Sequence, residues 1–274
     1  MVKFSVMFMD SHFIILGSSK FHYKRFGKGA NWVFSFHGYG EEGERFDILE
    51  PFLAEQFTLI AIDIPFHGKT EWNGDLLFKA DELIQLMNQI IGDEHKDFAL
   101  LGYSMGGRIA MKLFELMPHR ISKMVLVAPD GLHQNKWQWF VTKTKLGNRL
   151  FKYTMYNPNW IFNFIGFAKR FNLMNKSIIK FIHYYLDDPV ERANLYKIWT
   201  TTRQYRPNLR LVKKLVTSHK VPMNILFGKH DRIIITKRGN QFKKGLESLV
   251  TVQELDAGHQ LLQKKYANDI ASFF

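Results

Sequence analysis

A serine hydroxyl attacks poorly at neutral pH unless a histidine takes its proton and a carboxylate holds that histidine in the right tautomer. This chain of 274 residues carries all three side-chain types at positions that suit such a relay. Ser104 lies in Gly102-Tyr103-Ser104-Met105-Gly106-Gly107, a G-x-S-x-G pattern directly after the apolar run Phe98-Ala99-Leu100-Leu101. A sharp strand-to-helix turn needs the two flanking glycines, because a side chain at either place would collide with the neighbouring chain. Among eleven histidines, His259 in Asp256-Ala257-Gly258-His259 is the best-placed base, with His230 as runner-up. Asp231, in Phe227-Gly228-Lys229-His230-Asp231, is the first choice of orienting acid because it falls between serine and histidine in the chain. Asp130 is the alternative, and Asp256 stands too close to His259 to reach its far side. Attack on a carbonyl leaves an oxyanion that requires donors already in place. The backbone N–H groups of Met105 and of Tyr39, in His37-Gly38-Tyr39-Gly40, are the nominated pair, and His37, Tyr103 and Arg108 are candidates for substrate contact.

Elements of the right kind stand where these residues need them. Short apolar runs at Phe13–Leu16, Phe21–Phe26, Trp32–Phe36, Phe57–Ile62, Phe98–Leu101, Met124–Val127, Asn224–Phe227 and Val250–Leu255 read as eight strands. Helical spacing is expected over Phe46–Glu55, Asp81–Ile91 and Arg108–Met117. Strands alternating with helices give an α/β fold with a mostly parallel sheet covered on both faces. In such sheets ligands collect beyond the carboxyl ends of the strands, and His37, Asp63, Ser104, Asp130, Asp231 and His259 all follow a strand directly. All six could therefore converge on one rim.

The net charge of +13 is not spread evenly. Residues 131–220 contain 17 Lys or Arg against three acids, and 17 of the 41 aromatic residues, while the remainder of the chain is close to neutral. That change of composition marks an inserted helical lid at 131–220 within a core domain formed by 1–130 and 221–274. Phe162, Phe164, Ile165, Phe167 and Phe171 with Lys169, Arg170 and Lys176 give this segment its aromatic and basic character. Three readings are open for it. The favoured one packs the aromatics inward over the site and leaves the lysines solvated. The others draw in an acidic or phosphorylated substrate, or rest the segment on an anionic membrane surface. No nucleic acid partner is expected, since no helix-turn-helix, zinc or RNP pattern accompanies the basic charge. Cysteine is absent, which excludes disulfides and thiolate metal sites. Met1–Leu16 is apolar but broken by Lys3, Asp10 and His12, which predicts a strand rather than a signal peptide, and a cytoplasmic location is expected.

His37-Gly38-Tyr39-Gly40, Asp63-Ile64-Pro65-Phe66-His67-Gly68, the Ser104 turn, Gly228-Lys229-His230-Asp231 and Ala257-Gly258-His259 occur in the order of the α/β-hydrolase superfamily, which this chain resembles over 31–130 and 221–274. The resemblance implies a Ser104–Asp231–His259 triad and an acyl-serine intermediate released by water, with no metal or cofactor and a small to medium acyl compound as substrate. Around the serine, Gly-Tyr-Ser-Met-Gly-Gly-Arg is also similar to the menaquinone-pathway lyases known as SHCHC synthases, where Arg108 and the cationic lid would suit an anionic substrate. A C–C hydrolase on such a substrate, or a non-catalytic receptor on the same fold, are the remaining alternatives.

Overall fold

The structure is a computed structural model that describes residues 10–92, 97–133, 135–170 and 186–274. Eight strands form one sheet in the order β1-β2-β4-β3-β5-β6-β7-β8. They are β1 (Asp10–Leu16), β2 (Ser19–Phe26), β3 (Asn31–Phe36), β4 (Phe57–Ile62), β5 (Phe98–Tyr103), β6 (Ile121–Val127), β7 (Met223–Gly228) and β8 (Val250–Leu255). β1 and β2 make an antiparallel hairpin and β2 joins β4 antiparallel, whereas every pairing from β4 to β8 is parallel. Burial follows from that placement. Central β5 is buried along its whole length, as a strand covered on both faces must be, while the edge strand β1 alternates between exposed and half-buried. The first nine residues of the expected N-terminal strand lie outside the described residues.

The helices are α1 (Glu50–Leu53), α2 (Ala80–Ile91), α3 (Met105–Leu116), α4 (Lys136–Lys143), α5 (Lys145–Tyr156), α6 (Asn159–Arg170), α7 (Pro189–Thr201), α8 (Leu209–His219), α9 (Thr236–Lys243) and α10 (Ala267–Ala271). The helix expected over Phe46–Glu55 is instead a 3₁₀ turn, Gly43–Leu49, followed by the single turn of α1. Pro51 explains the break, because it has no N–H to give to the carbonyl four residues back. On one side of the sheet Val33, Leu59 and Leu101 pack with Phe46 and Leu49 of that turn and Ile270 of α10. Each fully buried leucine there contributes about 1.5–3 kcal/mol.

The described residues divide into two compact units. The first comprises the described parts of 1–73, 80–133 and 205–274 and holds the whole sheet; the second comprises 74–79 and 134–204. Residues 205–220, including α8, belong with the first unit, where the composition change at 221 had grouped them with the inserted segment. α8 packs on α3 through its apolar face, which buries Val212 and Val216. In the second unit Asn135 and Thr144 cap α4 and α5, Asp188 caps α7, and Phe151 packs its ring against Tyr196 and Trp199. Phe78 N–H donates to Thr201 O at 2.9 Å, tying the short 74–79 segment to the end of α7. Phe171 and Lys176 lie outside the described residues.

Candidate active site

Ser104 sits between the end of β5 and the first turn of α3 with φ 48° and ψ −113°, a strained conformation for a residue with a Cβ. Its surroundings hold that conformation in place. Ser104 N–H donates to Val127 O at 2.9 Å, and Asp130 N–H donates to Ser104 O at 2.8 Å, so the turn is bonded to the end of β6 on both sides. A Cβ on Gly106 would lie 1.8 Å from Phe36 O, and one on Gly102 would lie 2.6 Å from Gly106 O. The close approach of β5, β3 and α3 therefore depends on both flanking glycines.

His259, in the loop after β8, brings Nε2 to 3.0 Å from Ser104 Oγ and donates from Nδ1 to Asp231 Oδ2 at 2.7 Å. Asp231 follows β7, and its other oxygen accepts the Ile233 and Ile234 N–H groups at 2.7 and 2.9 Å. Burial pushes the Asp231 carboxyl up, but the hydrogen bond from His259 and those from the two backbone groups outweigh it and leave the acid below the usual carboxylate range. The carboxylate thus stays ionised while the imidazole is half-buried beside it. Tyr103 stacks near the His259 ring at 5.9 Å and donates from its hydroxyl to His259 O at 3.2 Å, which fixes the loop that carries the histidine. Burial, with Glu41 and Asp231 adding negative charge, pushes the Tyr103 phenol well above its ordinary value, so it remains a donor. Met105 opens α3, and its N–H is one of the first-turn groups that have no acceptor within the helix. Tyr39 stands half-buried in the loop after β3, with its ring 6.1 Å from that of His67.

Other residues singled out in the sequence turn elsewhere. His37 is fully buried, donating from Nδ1 to Gly38 O at 2.7 Å and accepting Ile64 N–H at Nε2 over 3.1 Å, so it joins the loop after β3 to the loop after β4 and does not reach the rim. Arg108 is buried within α3 and its guanidinium lies 3.4 Å from Asp130 Oδ2. That contact engages the alternative acid Asp130, whose other oxygen accepts Gly131 N–H at 2.7 Å. The runner-up base His230 pairs with Asp256, the acid set aside as too close to His259, at 2.7 Å. Asp63, which follows β4 as Asp231 follows β7, is fully buried and spends its carboxylate on His22 Nδ1 and on the N–H groups of Gly43 and Lys69.

Glu41 has no counterpart in the sequence reading. Burial pushes its carboxyl up, against the pull of Arg45 and His259, and its oxygen lies 3.9 Å from the Arg45 guanidinium. It follows Gly40, whose φ of +71° turns the chain, but an acid one residue past a glycine is too common a pattern to mark it.

Under the loop after β3, burial and the neighbouring His37 pull the His67 imidazole down to about 3, and burial lowers His37 as well. Both stay neutral in the fold while their unfolded counterparts protonate near 6.5. The unfolded state therefore binds more protons below that pH, and stability is complete above it and declines as acid is added. At pH 5 the His67 contribution amounts to about 2 kcal/mol lost relative to neutral pH. Urea unfolding at the two pH values is expected to show that loss, and the His67→Gln variant a smaller one; equal slopes in the two proteins would refute the assignment.

The alpha/beta hydrolase fold family model matches residues 31–263. The chain is 24% identical over 253 residues to the uncharacterized hydrolase YugF of Bacillus subtilis, covering 89% of this chain and 88% of that protein. It is 29% identical over 124 residues to the pimeloyl-[acyl-carrier protein] methyl ester esterase of Vibrio parahaemolyticus, a match that spans 46% of that enzyme. A thermophilic esterase from Thermogutta terrifontis superposes with a TM-score of 0.65 at 15% identity, covering 96% of each chain. The thioesterase domain of a curacin biosynthetic pathway does so with a TM-score of 0.62 at 16% identity, covering 96% of this chain and 98% of that one. No helix among the described residues is long and apolar enough to cross a membrane.

Proposed function

The chain belongs to the alpha/beta hydrolase fold family and is an enzyme of the hydrolase type, and from that premise we propose that it cleaves a carboxylic ester through an acyl-serine intermediate. The observation that carries this reading is the continuous relay from Ser104 Oγ to His259 Nε2 at 3.0 Å and from His259 Nδ1 to Asp231 Oδ2 at 2.7 Å. In the first half-reaction His259 takes the Ser104 proton as Oγ attacks the carbonyl carbon, and the Met105 and Tyr39 N–H groups receive the oxyanion. His259 then gives its proton to the departing alkoxide, which leaves as an alcohol. In the second half water attacks the acyl group, with His259 again as base, and Ser104 and a carboxylic acid are released. The ionised Asp231 stabilises the imidazolium in both halves.

Relatives named as methyl ester esterases favour an ester over other acyl compounds. The lyase alternative drew on Arg108 and the cationic lid to hold an anionic substrate, and of these Arg108 is buried against Asp130. A fluorophosphonate probe is expected to add one label to the peptide that contains Ser104, and p-nitrophenyl esters of graded acyl length to be turned over. A protein that takes no label and cleaves no ester of the series refutes the reading.

A further inference from the structure

α5 and α6 each carry a second apolar stripe on a different side from the one they bury. In α5, Gly147, Phe151, Thr154 and Met155 are buried, whereas Leu146, Leu150 and Tyr153 are exposed, Leu146 to 72%. With 3.6 residues per turn, these three side chains fall within an arc of about 60° on the helix surface. α6 repeats the spacing. Ile165 is buried, and Trp160, Phe164 and Phe167 stand exposed four and then three residues apart, the two phenylalanines to 56% and 57%. A helix that only needs solubility places polar residues on such a face. Trp137 of α4 adds a further exposed indole, at 61%.

Charge on this surface is of one sign. From 136 to 167 the sequence holds Lys136, Lys143, Lys145, Arg149 and Lys152 and no Asp or Glu. On α5, Lys145, Arg149 and Lys152 lie along one flank of the Leu146-Leu150-Tyr153 stripe, set off from it by the helical rotation. An apolar stripe rimmed by cations, with Trp and Tyr among its members, is the pattern of helices that lie in the headgroup layer of an anionic bilayer. A second copy of this chain is the poorer occupant, because a two-fold interface would set these cations against themselves.

We propose that the exposed apolar stripes of α5 and α6 in the second unit dock on anionic phospholipid bilayers, with the stripes at the acyl boundary and the flanking cations on the headgroups. The contact is interfacial and involves no spanning helix. It is independent of the ester cleaved, because none of its residues belongs to the Ser104 relay.

Sedimentation with vesicles tests it. Equimolar phosphatidylcholine and phosphatidylglycerol vesicles should carry the full chain down at low salt, with binding weakened as salt is raised. Pure phosphatidylcholine vesicles should bind at least about tenfold more weakly. Leu150→Glu with Phe164→Glu should lower the partition about tenfold or more, since each puts a charge where apolar surface meets lipid. Lys145→Glu with Lys152→Glu should lower it on anionic vesicles only. Circular dichroism and turnover of a soluble short-chain ester should match the parent in all variants. The proposal is overturned if the parent does not sediment with anionic vesicles, if the Leu150/Phe164 variant sediments as well as the parent, or if the parent binds poly(U) but not vesicles. A dimer that forms without lipid and dissolves on the Leu150/Phe164 change would assign the face to a second copy instead.

Discussion

Ser104→Ala folds as the parent does and turns over no ester above background, a loss on the order of 10⁶ in kcat if the relay acts as a unit as it does in subtilisin. The fold survives because, among the described residues, Ser104 Oγ bonds only to His259, while the backbone bonds that hold the turn, to Val127 O and from Asp130 N–H, involve no side-chain atom. Alanine keeps the Cβ, so the strain at φ 48° is unchanged. Glycine removes it, and Ser104→Gly should be the more stable of the two inactive variants by about 1 kcal/mol. Steady-state kinetics with the most reactive p-nitrophenyl ester, alongside urea unfolding of both variants, checks both parts. Turnover of the alanine variant within tenfold of the parent would remove Ser104 as nucleophile. The same variant should lose the fluorophosphonate label, which ties the kinetic result to one side chain.

What the sequence could and could not convey follows from what each signal measures. The strands Phe57–Ile62 and Val250–Leu255 are bounded where their apolar runs are bounded, and the glycines at 102 and 106 announce close backbone approach because only glycine tolerates it. Position after a strand also pointed to Ser104, Asp231 and His259. The same signal pointed equally to Asp63 and His37, which are buried behind the rim. A strand end fixes where a backbone emerges, not which way the side chain turns. Asp63 turns inward because His22 on β2 and the Gly43 N–H offer it partners there, and β2 is adjacent to β4 only through the sheet order. Arg108 turns inward toward Asp130, a residue brought beside it by the crossing of α3 and the loop after β6. Neither pairing has a sequence spacing that could reveal it. In the basic segment, periodicity was a poor guide for another reason: α5 and α6 have apolar residues on two faces, so that Phe151 and Ile165 are buried while Trp160, Phe164 and Phe167 are exposed.

Asp231→Asn should lower kcat on the order of 10⁴, the cost of the equivalent change in the serine protease triad. The hydrogen bonds around the acid explain why so conservative a change is severe. Oδ1 accepts the Ile233 and Ile234 N–H groups, so the asparagine carbonyl oxygen must take that place, and its NH₂ then faces His259 Nδ1. Two donors cannot share that contact. The imidazole relieves the clash by moving its proton to Nε2, where it meets the Ser104 hydroxyl and can no longer accept from it. Stability should change little, because both backbone bonds are retained. Asp130→Asn is expected to do the opposite. It weakens the ion pair to the buried Arg108 guanidinium, which burial already pulls below its ordinary value, so unfolding should become easier while kcat stays near the parent's. Measuring kcat at saturating ester and the urea midpoint for both variants separates the two acids: a larger fall in kcat for Asp130→Asn than for Asp231→Asn would transfer the orienting role to Asp130.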